Sequence, residues 1–316
     1  MTLERRRLCL WPPRLLALLL LTLPAVAQAR YNYTTNNGTI TITGFAGPGA
    51  AVTIPSTING LPVTSIGNSA FSGTSLTSVT IPDSVTNIGN YAFGGCGGLA
   101  SIMIGNSVTR LGASAFNACH SLASVTIPDS VTSIGDNAFD HCLSLTGVTI
   151  GNNVISIGQS AFGCCRSLAS VTIPNRVASL GTYAFAGCGS LTEVYFQGDA
   201  PGIGSEVFDY DSNATVYYLP GTTGWGPTFA GLPTALWLLP NPLILNHGPG
   251  YGVQTNGFGF IISWATNLSV VVEASTNLAN PIWHPLATNA LSGGSFYFSD
   301  PQWTNYPGRF YRLRLP

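Results

Sequence analysis

Phenylalanine recurs at Phe71, Phe93, Phe116, Phe139, Phe162, Phe185 and Phe208, each step being 23 residues except a first step of 22. A period of about 20–30 residues means that one small unit is built repeatedly, and units this short stack into a solenoid because none buries its own apolar face. The unit reads Leu-x-x-Val-x-Ile-Pro/Gly-x-x-Val-x-x-Ile-Gly-x-x-Ala-Phe-x-x-Cys, as over residues 122–142. Its apolar positions align in columns that run from Leu76 to Leu191, from Val79 to Val194, from Ile81 to Phe196 and from Ile66 to Ile203. The alternation in Val-x-Ile is that of a short strand. The Pro or Gly behind it turns the chain, and Ile-Gly-x-x-Ala-Phe suggests a second short segment with a tight helical turn. With strands ~4.8 Å apart, the stacked coils make a rod of roughly 30 Å.

Open solenoid ends expose unpaired backbone, so both ends need caps. Residues 30–50 read as an N-terminal hairpin cap turning at Asn36-Asn37-Gly38. The solenoid is expected over 51–208, with an insertion at 58–62 in its first coil. Residues 209–240, rich in Gly and Trp and containing the apolar run 216–219, read as the C-terminal cap and linker. Beyond Pro240-Asn241-Pro242, residues 241–316 read as a small all-β module with strands near 258–263, 270–273, 284–287, 296–299 and 310–315. An extension of the cap without a core of its own is the alternative.

Residues 1–29 carry Arg5, Arg6 and Arg7, an apolar run and Ala27-Gln28-Ala29, the pattern of a cleaved secretory signal. The run is shorter than the ~20 residues of a spanning helix. The expected product is secreted or held at the cell surface. Only 7% of residues are charged, and without the signal seven basic groups face eleven acidic ones. That balance excludes the dense cationic surface that nucleic acid requires.

The run Ser124-Val125-Thr126-Ile127-Pro128-Asp129-Ser130-Val131-Thr132-Ser133-Ile134-Gly135-Asp136-Asn137-Ala138-Phe139 resembles the BspA-like leucine-rich repeats of bacterial surface and secreted proteins. The resemblance covers roughly 51–208 and implies a leucine-rich-repeat solenoid, with adhesion to proteins or cells as the associated role. It supplies no ligand-binding residues. The tail, with Glu273-Ala274-Ser275-Thr276-Asn277-Leu278, Trp283 and Arg309-Phe310-Tyr311-Arg312-Leu313, is similar to C-terminal modules of secreted proteins from verrucomicrobia-like bacteria.

Several constellations are candidates for chemistry. Thr80, Met103, Thr126, Thr149, Thr172 and Tyr195 form the outward column of the Val-x-Ile strand, a flat, uncharged stripe rich in hydroxyls. Thr also simply suits strands. Cys96, Cys119, Cys142, Cys165 and Cys188 form another column, read as buried free thiols, with some oxidation the alternative in an exported chain. His141 and Cys164 fall at adjacent levels, but a zinc site drawn through them lacks two further ligands, and chance placement accounts for the pair. Asp209, Asp211 and Asn213, with Glu206 nearby, begin like a calcium loop, yet Ala214 stands where the loop needs Gly and Pro220 where it needs Glu. A solvated acidic turn is the simpler reading. None of the four His belongs to a nucleophile-base spacing, and no phosphate loop or dinucleotide fingerprint occurs. The expectation is a non-catalytic binding protein without a cofactor, meeting an extracellular protein or glycan. The alternative is a passive envelope or matrix component anchored through its C-terminal module.

Overall fold

The computed structural model describes residues 30–315 apart from 240–241, 249, 256, 265–268 and 292–293. The expected signal and part of the expected linker lie outside the described residues. Among the described residues no helix is long and apolar enough to cross a membrane.

The repeats wind into a β-solenoid. Each coil contributes two short rungs to two parallel ladders. One ladder joins Ala51–Thr53, Ser78–Thr80, Ser101–Met103, Ser124–Thr126 and Gly147–Thr149, and a second set, Ser170–Ile173, Glu193–Phe196 and Thr215–Tyr218, follows beside it. The other ladder runs from Leu61–Ile66 through Ser133–Ile134 to Gly202–Ile203. Register is strict: Val125 pairs with Val148 and Ile134 with Ile157. Like residues therefore lie over like, and the phenylalanine rings stack with centroids 4.9–5.7 Å apart and interplanar angles of 5–19°.

The segment around Ala-Phe forms paired tight turns, with no regular helix. Two residues per coil, such as Asn137 and His141 (φ 54° and 59°), adopt the left-handed conformation on either side of the phenylalanine, which prevents a helical run. Their amides instead bond to the next coil, as in Phe116 N–H to the Ala138 carbonyl at 2.8 Å. The Gly of Ile-Gly is required by this close stacking, because a Cβ on Gly135 would lie 2.7 Å from the Gly112 carbonyl carbon.

Both ends are closed by the same device. Thr57–Ile58 and Leu61–Ile66 meet antiparallel round Asn59-Gly60, and Thr228–Phe229 and Leu232–Leu236 meet in the same register round Ala230-Gly231. The shared pattern is Thr, an apolar residue, any residue, then Gly-Leu-Pro. At the front, Tyr31–Asn36 and Thr39–Phe45 form the hairpin, and Phe45 extends the ring stack onto Phe71 at 5.3 Å. One expected core position fails. Ile203 is 44% exposed, because among the described residues no strand pairs beyond Gly202–Ile203 to cover the end of its column.

The C-terminal residues build two small antiparallel sheets. Gly257–Ser263 pairs with Leu243–Leu245, Gly252–Gln254 and Ser295–Asp300, while Ser269–Ser275 pairs with His284–Ala290 and Phe310–Arg314. Phe260, Ile262, Trp264, Val270, Val272, Leu291 and Phe298 form a core separate from that of the solenoid. The unit touches the cap closely: a Cβ on Gly221 would lie 2.6 Å from Ile261 Cγ2.

Candidate functional site

The Pro and Gly turns behind the Val-x-Ile rungs shape a groove. Proline and glycine alternate down this column, Pro82, Gly105, Pro128, Gly151 and Pro174, and a Cβ on Gly151 would lie 2.4 Å from the Pro128 carbonyl oxygen. Asp83 and Asp129 in these turns accept the Asn106 and Asn152 backbone N–H of the next coil at 2.7 Å, so the acidic residues of the repeats hold turns together.

Thr126, Thr149 and Thr172 line a groove of about 560 Å³ with Asn106, Asn152 and Gln197. Asn152 and Gln197 also line an adjoining 330 Å³ hollow, whose far wall is the segment 243–247 of the C-terminal unit. There the Asn175 side-chain amide donates to Asn246 Oδ1 at 2.7 Å. The structure thus brings three of the expected stripe residues together. Thr80 lies on the same ladder outside the groove, and beside it Met103 is 65% exposed. Tyr195, further along, stacks on Tyr217 at 5.1 Å and meets Trp237 at 4.7 Å.

Tyr217, Trp237 and the turn amides were not foreseen as parts of this face. The signal was present: Tyr217 follows Tyr195 by 22 residues and pairs with it directly, and Asn106, Asn152 and Asn175 share one repeat position. Burial raises the Tyr195 phenol above its usual range, with Glu193 adding to the effect.

The cysteine column is structural. All five thiols are free and buried, and each donates to the phenylalanine carbonyl of the preceding coil, as Cys142 does to Phe116 at 3.3 Å. Burial pushes the Cys142 thiol up to about 12 and raises Cys96 and Cys119, which keeps them protonated and unreactive.

The acidic turn after Phe208 divides. Asp209 caps the Tyr210 N–H at 3.2 Å, Asn213 is exposed, and Asp211 is turned into the core, 3% exposed, at the position the cysteines hold in earlier coils. Neither Asp211 oxygen meets a donor in good hydrogen-bond geometry; burial pushes its carboxyl up to about 7, the nearby Cys188 backbone N–H offsetting part of that rise and Asp209 adding to it.

Comparison with known proteins agrees with this architecture. The family model of the BspA type leucine rich repeat region matches in six copies over residues 50–152 and 132–223, more than half of the chain. A solved leucine-rich-repeat protein of T. pallidum is 38% identical, covering 58% of this chain and 88% of that one, with a TM-score of 0.55. A leucine rich cell surface protein from Faecalibacterium prausnitzii A2-165 is 27% identical over 60% of this chain and 69% of that one, with a TM-score of 0.46. Among curated proteins none matches. The periodic Phe stack, the paired ladders and the repeat match concur, and the chain belongs to the BspA-type leucine-rich-repeat family.

Proposed function

We propose that this is an exported, non-catalytic binding protein whose Thr rungs and aromatic end hold an extracellular protein or glycan. Export rests on the signal pattern of residues 1–29. The observation that carries the binding role is the groove lined by Thr126, Thr149 and Thr172, which spans from the first set of rungs to the second, the set that carries Tyr195 and Tyr217, with Trp237 stacked against Tyr195. Hydroxyls and carboxamides offer donors and acceptors to a polar ligand, and aromatic faces add apolar contact without a buried charge. The low charge of the chain suits a partner recognised by hydrogen bonds and shape.

The test is binding of purified protein to immobilised glycans and matrix proteins, compared with the triple variant Thr126→Arg, Thr149→Arg, Thr172→Arg. Binding by the wild type and loss in a variant that still melts cooperatively is the expected result. Equal binding by the variant places the site elsewhere, and a wild type that binds neither class overturns the reading. A second reading, an envelope component fixed by its C-terminal unit, draws support from that unit's separate core. Truncation after residue 239 should then release the protein from the cell envelope.

A further inference from the structure

The turn column two residues after each phenylalanine carries Gly73, Gly95, Ala118, His141, Cys164, Gly187 and Tyr210, all but Ala118, His141, Cys164 and Tyr210 being glycine. Its backbone is left-handed throughout, with φ 59° at His141 and 52° at Cys164, a conformation that favours glycine. Two consecutive coils nevertheless place a nitrogen and a sulfur donor there. The missing third ligand comes from Asp140. Ligand atoms of Asp140, His141 and Cys164 all lie within 4.8 Å of one another, and His141 Nδ1 is already 2.9 Å from Asp140 Oδ2.

We propose that Asp140, His141 and Cys164 form a zinc-binding site. Four-coordinate zinc, with bonds of about 2.0–2.3 Å, sets its ligand atoms roughly 3.3–3.6 Å apart, so side-chain rotation of about an ångström closes this set round an ion. The mixed oxygen, nitrogen and sulfur donors select zinc over calcium and magnesium, which take oxygen ligands. Asn117 supports the set, its amide donating to Asp140 Oδ2 at 3.2 Å and to the Asp140 carbonyl at 3.3 Å, the kind of outer contact that orients a metal ligand. The His141 side chain is 51% exposed, so water has access to the fourth position. On binding, the thiol proton passes to solvent, and the thiolate and carboxylate balance the charge of the ion. Arg166, on the same turn as Cys164, is exposed. This site lies in a different repeat column from the Thr rungs.

Cobalt(II) titration of the full chain provides the test. One equivalent should produce the near-ultraviolet thiolate-to-cobalt band and the visible bands of four-coordinate cobalt, and zinc should displace them. Cys164→Gly puts into this column the residue that stands at Gly187, so the fold should survive while the thiolate band disappears. His141→Gly should weaken binding by about 100-fold or more, beyond what loss of an outer contact causes. Asp140→Asn should weaken it at least about tenfold. Absence of a thiolate band in the wild type, its persistence in Cys164→Gly, or wild-type affinity in Asp140→Asn would each overturn the assignment.

Discussion

Two buried acids, one closing the solenoid and one in the C-terminal unit, are handled in opposite ways. Asp211 sits 3% exposed at the end of the cysteine column with no donor in good hydrogen-bond geometry for either oxygen. Glu273 is 5% exposed between two arginines, its Oε2 2.7 Å from Arg312 and its Oε1 2.8 Å from Arg314. In the middle of the solenoid, a polar atom at a column position meets the same partner one coil away, as each cysteine meets a phenylalanine carbonyl. At the first coil Thr74 takes the cysteine's place and bonds to the Phe71 carbonyl at 2.7 Å. At the last coil an acid takes it and lacks such a bond. The C-terminal unit has no repetition to draw on, so it satisfies Glu273 with dedicated charges, and Arg312 in turn lies over the Trp283 ring at 4.4 Å.

The two acids therefore give opposite pH dependences. Asp211 binds its proton more tightly in the folded chain, since its carboxyl is pushed up to about 7. Its contribution is complete below the ordinary carboxylate range near ~4 and is lost as pH rises through about 7. Glu273 is held below its usual range, first by the Arg314 hydrogen bond and then by that from Arg312. Its contribution is present above about pH 4.5 and is lost as pH falls through its lowered folded value.

The largest effect belongs to the middle of the column. Phe139→Ala should cost about 3–5 kcal/mol in urea unfolding, because the ring has stacked neighbours on both faces at 5.2 and 5.3 Å. Asp211→Asn should raise stability at pH 8 by on the order of 3 kcal/mol while changing little at pH 4. Equal effects at both pH values would show that ionisation of this carboxyl is not the cause. Glu273→Gln should do the reverse, lowering the melting temperature at pH 7 and converging with the wild type in acid. Smallest of all, Thr126→Ala on the exposed face should fall within about 0.5 kcal/mol of the wild type, a result that separates a binding surface from a structural one.

The interior of the solenoid was legible because a 23-residue period forces each column to repeat, and Phe139 and Ile134 are buried like their copies in the neighbouring coils, while the Val125 column is looser, with Ile102 and Val148 only partly buried. The ends were less legible for the same reason. Ile203 matches its column yet lacks a neighbour to cover it, and Asp211 read as part of a solvated turn because its sequence neighbours Asp209 and Asn213 suggested one. Thr126, Thr149 and Thr172 could be placed on one stripe from alternation alone. The groove beside them depends on how the Pro and Gly turns pack, which no single repeat reveals. Asp140 was overlooked as a ligand because its role arises from a turn conformation that brings it beside His141 and under Cys164.

Like rungs superpose coil on coil, so the Thr face is continuous. Spin labels at Thr80→Cys and Thr172→Cys, in residues 30–316 of a Cys164→Gly background, test it by dipolar spectroscopy. Four rungs at ~4.8 Å predict one narrow distance centred near about 20 Å. A broad distribution, or a separation beyond about 35 Å, where extended chain would allow far more, would contradict it.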